Sequence, residues 1–179
     1  MSMLTRQITV EAPADAVWDV VGRRFDRIGE WATAIPASAA IAPIPPGTAP
    51  TRSPAPTVVD APVVGRVCRT GIRLLPEVTE TIVAYDDAAR TLTYQASGLP
   101  AFVATARNTW TIIPLGERRT RVTLYAQFDT RGLIGALARW AILVQVGRTS
   151  RHLADDLRYY LEHGTPSPRK QKQLRRTRP

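Results

Sequence analysis

The chain has 179 residues, of which 44% are hydrophobic, with one cysteine and a formal net charge of +9. That length suits one domain with extensions, and no apolar run is long enough to span a bilayer. The start lacks a signal-peptide core and Cys68 can close no internal disulfide, so a reducing, cytoplasmic setting is expected.

Leu4 to Val10 alternates and predicts a strand. Next, Pro13 suits a first helical turn, Asp15 favours its positive end, and Val17, Trp18 and Val21 form an apolar stripe. A second short helix is expected through Phe25, Ile28 and Trp31. "PASAAIA" is a weak strand, followed by Pro43 to Pro62 with seven prolines in twenty residues. Proline fixes φ and donates no hydrogen bond, so 43–62 reads as an extended loop insertion.

Five strands follow: "GRVCRTGI", "VTETIVAY", "TLTYQAS", "VATARNTWTIIP" and "RTRVTLYAQFDT". Their β-branched and aromatic content and short connections predict an antiparallel meander. Arg131 to His163 then predicts a helix of about 30 residues, roughly 45 Å long. Its first half is apolar nearly all round and its second half is amphipathic, with Gly147 between them. Residues 164–179 hold six basic residues and no acid, which leaves the body with 18 basic and 15 acidic residues. This end reads as a disordered basic tail able to meet an anionic membrane surface or an acidic partner. So local a charge argues against specific nucleic-acid recognition by the body.

Strand alternation sorts the faces. With Leu74 and Leu75 as the turn, Arg69 and Glu80 become cross-strand neighbours on the apolar face, while Cys68 falls on the other. Buried charges are tolerated when paired. Tyr94, Asn108, Trp110 and Phe128 join that inner face, and Gly71, Ala96, Ala104, Ala106 and Ala126 leave room on it. An apolar wall with a few convergent polar groups is the usual character of a small-molecule site. The expected ligand-binding set is Arg69, Glu80, Tyr94, Asn108, Trp110, Phe128 and Trp140, with Glu80, Tyr94 and Arg69 the candidates for catalysis.

The order strand, two short helices, about six strands and one long helix resembles the helix-grip fold of the START-like (SRPBCC) superfamily. The local text "ITVEAPADAVWDVV", "GRVCRTG", "VTETIVAYDDAARTLTYQASGLP" and "NTWTIIPLGERRTRVTLYAQFD" is similar to its polyketide cyclase/dehydrase-like members. The resemblance covers about residues 4–163. It implies an α+β fold, in which a curved antiparallel sheet wraps a long C-terminal helix, with a cavity for a small hydrophobic molecule, polyketide-like or lipid. The domain is then expected to span 1–163. Some relatives cyclise or dehydrate polyketides, some carry lipids or quinones, and some are hormone receptors.

Two histidines, His152 and His163, lie apart on the last helix, so neither a metal nor a cofactor is expected. No nucleophile elbow, phosphate loop or dinucleotide fingerprint occurs. Any chemistry would be acid–base, with Glu80 accepting a proton, Tyr94 donating to a carbonyl and Arg69 stabilising an enolate. Three readings stand: a small-molecule binder or cyclase-like enzyme, a lipid or quinone carrier that docks on membranes, and an interaction module or homodimer using the apolar helix.

Overall fold

The computed structural model describes residues 2–41, 58, 60–72 and 75–177. Strand β1 (Ser2–Val10) leads into helix α1 (Ala14–Trp18), which passes through a π-turn at Asp19–Arg23 and a 3-10 turn at Phe25–Arg27 into helix α2 (Ile28–Trp31). Edge strand β2 (Ala37–Ile41) follows. The expected insertion at 43–62 lies largely outside the described residues. Strands β3 (Gly65–Ile72), β4 (Leu75–Asp86), β5 (Thr91–Ser97), β6 (Val103–Gly116) and β7 (Arg119–Thr130) then form the meander.

The sheet is antiparallel throughout, in the order β1-β7-β6-β5-β4-β3-β2. It curves without closing, and the long helix α3 (Gly132–His163) follows β7 and packs chiefly against β1 and β7. Gly147 interrupts nothing, and Gly164, at φ 68°, ends the helix by donating its N–H to the Tyr160 carbonyl.

One end of the sheet is filled. Val10, Val17, Trp18, Leu92, Ile112, Val122 and Leu157 are almost wholly buried there, each contributing about 1.5–3 kcal/mol by burial. A polar clamp ties α1 to the β4–β5 turn. Asp87 accepts from the Trp18 indole at 2.8 Å, from Tyr85 at 3.0 Å and from Arg23 at 3.0 and 3.1 Å. The Arg23 hydrogen bonds, then the indole, hold the Asp87 carboxyl well below the usual carboxylate range.

The C-terminal end differs from the expected disordered tail. Pro168–Thr177 forms helix α4, seated by a polar network. Lys170 is fully buried and donates to the Ile35 carbonyl at 2.8 Å, the Pro36 carbonyl at 3.3 Å and Gln173 Oε1 at 3.0 Å. Gln173 donates to the Thr33 carbonyl at 3.1 Å. Buried Asp156 of α3 accepts from Ser167 Oγ at 2.6 Å and from the Thr33 N–H at 2.7 Å. Burial holds the Lys170 pKa down to about 8, with Asp156 pulling it partly back. Docking by hydrogen bonds leaves no apolar pattern, so composition alone reads this segment as unstructured.

Two outcomes follow from these contacts. Lys170→Ala is expected to cost about 1–3 kcal/mol and to open 168–177 to trypsin, read by limited proteolysis beside a thermal melt. Asp87→Ala should lower Tm at neutral pH, and the gap to wild type should close below the ordinary carboxylate pKa of 3.8. A carboxylate with a depressed native pKa stabilises above its unfolded pKa and loses that contribution as pH falls.

Candidate functional site

The candidate polar groups sit on the inner face of β3 to β6. On β3 the inward residues are Arg66 and Cys68, 3% and 1% exposed. Arg69 is exposed and lies opposite Glu77, so the expected Arg69–Glu80 pair does not form. Glu80 instead faces Arg66. Two things cause this: Leu75, expected in the turn, is the first residue of β4 and pairs with Ile72, and a register shift lies between Arg69 and Ile72, where Gly71 adopts φ 68°. An extra residue there turns the rest of the strand over and exchanges its faces. A second shift between Ile82 and Ala84 exposes Ala84 and sends Tyr85 against Trp18, with ring centroids 5.3 Å apart.

The Arg66 guanidinium is enclosed on all sides. Its Nε donates to Glu80 Oε2 at 2.5 Å and its NH1 to the Phe25 carbonyl at 2.5 Å. Its Cζ sits 3.8 Å from the centroid of the Phe25 ring and 5.3 Å from that of Tyr94. Burial opposes this charge, yet Glu80 above all keeps the Arg66 pKa above its ordinary value. Gly65 lets β3 and β4 close on the pair, since a Cβ there would stand 2.3 Å from the Glu80 carbonyl oxygen.

Cys68 donates to Glu80 Oε2 at 3.7 Å. Burial, then Glu80, pushes its thiol up to about 12, so it stays protonated at neutral pH and is a poor nucleophile. Burial and Glu80 likewise raise the Tyr94 phenol, which remains a hydrogen-bond donor. Tyr94 faces Asn108 across β5 and β6, and Asn108 faces Ala126 on β7. Trp110 and Phe128 are buried on the same inner face.

Glu80, Tyr94, Asn108, Trp110 and Phe128 therefore share the inner face of neighbouring strands. Trp140 does not join them: it is 75% exposed on the first half of α3. Ala104 is exposed as well. Sequence reasoning missed Arg66, Cys68 and Phe25. A glycine inside a strand is itself a bulge signal, and Gly71 read that way would have pointed to Arg66. Arg6 of β1 was also missed. It lies opposite Leu124 and its buried Nε has no hydrogen-bond partner among the described residues.

The inner face is unevenly covered. Ala126 and Phe128 are buried on β7, whereas Ala106 and Asn108 on β6 and Ala96 on β5 are only half-buried. A separate open groove of about 650 Å³ lies between α2, β2 and the α3–α4 joint, lined in part by Asp26, Glu30, Ser38 and Tyr160. It includes none of the inner-face residues. Among the described residues no group of three or more His, Cys, Asp or Glu side chains could hold a metal ion.

Removing one member of the buried pair strands the other. Arg66→Ala is expected to cost about 3–5 kcal/mol, whereas the paired change Arg66→Met with Glu80→Leu should recover most of that loss. Urea melts of the two variants check this.

The fold has solved counterparts. A START superfamily protein from Mycobacterium smegmatis superposes with a TM-score of 0.63 at 16% identity, covering 91% of this chain and 99% of that one. The Zhui aromatase/cyclase from Streptomyces gives 0.65 at 17% identity, over 92% and 98% of the two chains. A protein from Thermobifida fusca gives 0.61 at 25% identity, over 91% and 97%. No curated protein matches the sequence. Residues 1–162 match the family described as polyketide cyclase / dehydrase and lipid transport. With the open antiparallel sheet and its long C-terminal helix, that match over nearly the whole domain makes the chain a member of this family.

Proposed function

We propose that this protein binds a small, mainly apolar molecule carrying a hydroxyl or carbonyl group, between the inner face of the sheet and the first half of α3. The observation that carries this reading is the half-open strip at Ala96, Ala106 and Asn108, beside strands whose inner residues are buried. The alanine side chains of that strip are small, and Glu80, Tyr94 and Asn108 would supply an acceptor and donors at one end. Family membership supports the same ligand class.

Acid–base turnover of that ligand is the second reading, and one arrangement favours it. Glu80 engages Arg66 through Oε2, while Oε1 has no hydrogen bond among the described residues. Beside it stands a phenol that burial keeps protonated. Glu80 Oε1 would take a proton from the carbon next to a ligand carbonyl. The electron pair would move onto the carbonyl oxygen, steadied by the Tyr94 hydroxyl. Arg66, held in its ion pair, takes the electrostatic role first expected of Arg69.

Native mass spectrometry of freshly purified protein, paired with solvent extraction, tests the binding reading. A retained apolar molecule, or saturable binding of anilinonaphthalene sulfonate weakened by Asn108→Leu, is expected. An empty protein that fails to bind the dye would sink it. For turnover, a folded Glu80→Gln variant should keep ligand and convert none of it, and undiminished conversion removes Glu80 from the base role.

A further inference from the structure

Helix α3 presents two different outer surfaces along one line. Leu133, Leu137, Trp140 and Val144 are spaced four, three and four residues apart, which stacks them on one side of the helix. They are 84%, 80%, 75% and 39% exposed. The same line continues into Arg148, Arg151, Asp155, Arg158 and Glu162, an ordinary charged outer face. The sheet side of the first half is apolar too, through Gly135, Ala138, Ile142 and Val146, and is more covered. The outer stripe is thus additional to what the core needs. An exposed apolar patch of this size on one helix marks an interaction surface.

Charge selects the occupant. Residues 131–154 contain Arg131, Arg139, Arg148 and Arg151 and no Asp or Glu, and all four arginines are exposed. On the stripe's own line the first charged residues are Arg148 and Arg151, ahead of the first acid, Asp155. A bilayer with anionic headgroups offers the complement: acyl chains for the leucines, a headgroup layer for the arginines, and the boundary between them for the amphipathic indole of Trp140. At His152, α3 touches Arg169 of α4 at 3.2 Å. Among the described residues no helix is long and apolar enough to cross a membrane, so the contact is one lying in the interface.

We infer that the outer stripe Leu133–Leu137–Trp140–Val144, continued by Arg148 and Arg151, is a docking surface for anionic phospholipid bilayers. It is independent of whether the inner face binds a ligand. The full chain is to be sedimented with vesicles of phosphatidylcholine alone and of phosphatidylcholine and phosphatidylglycerol in equal parts. Binding to the anionic vesicles that weakens with salt is expected. Leu137→Ser with Trp140→Ser, and Arg148→Gln with Arg151→Gln, should each reduce it by about tenfold or more. Trp18, Trp31 and Trp110 are buried, so quenching of tryptophan emission by brominated lipid should vanish in Trp140→Phe. Three results would overturn the inference. One is no binding to anionic vesicles, or binding that neither double variant weakens. Another is a solution dimer that Leu137→Ser with Trp140→Ser converts to monomer, which assigns the stripe to a second copy. The third is a large fall in Tm for that variant, which places the stripe inside the fold.

Discussion

The charge on Arg66 has no route to water, and the structure around it is built to satisfy it. Four elements meet on that guanidinium: β3 supplies it, β4 supplies its carboxylate, the 3-10 turn supplies a carbonyl and a ring from Phe25, and β5 supplies the Tyr94 ring. A buried pair of this kind adds little net stability over apolar packing, but it penalises every arrangement that separates its members. It thereby sets the β3–β4 register and holds the short helical segment against the sheet. Among the described residues the other carboxylate oxygen of Glu80 has no hydrogen bond, and Glu80 lies opposite Ala96 of β5.

The inner face of the sheet is covered unevenly along its length. Toward Val10, Leu92 and Leu157 the sheet, α1 and the second half of α3 form a solid core, fastened at its edge by Asp87. Toward Ala106 and Asn108 the same layers are less completely packed. Unfilled apolar space gives up contacts, so the dense half is the more rigid one. Helix α4 braces it from outside through Lys170 and Asp156, on the loop that leads into β2.

Much of the candidate site was legible in the sequence. Glu80, Tyr94, Asn108, Trp110 and Phe128 fall where simple alternation places them, since β5, β6 and β7 run without a register shift across those positions. Arg69 was misplaced because the turn was set too late, at Leu74–Leu75, and because a bulged glycine reverses alternation, which carries no memory of where it is broken. Trp140 was misplaced for another reason. A helix segment apolar on every side does not announce which side meets the sheet, and only the packing of α3 on β1 and β7 resolves it.

By itself, then, the sequence determined the order of elements, the antiparallel meander and the long closing helix, because these follow from local periodicity, turn residues and propensity. Tertiary structure alone decided which arginine is buried, which face of α3 is left outside, and that the basic C-terminal segment is a docked helix. Each of those outcomes rests on contacts between residues far apart in the chain. The Arg66–Glu80 pair, the Lys170 hydrogen bonds to Ile35 and Pro36, and the partial cover over Asn108 exist only once the sheet has curved and the helices have seated upon it.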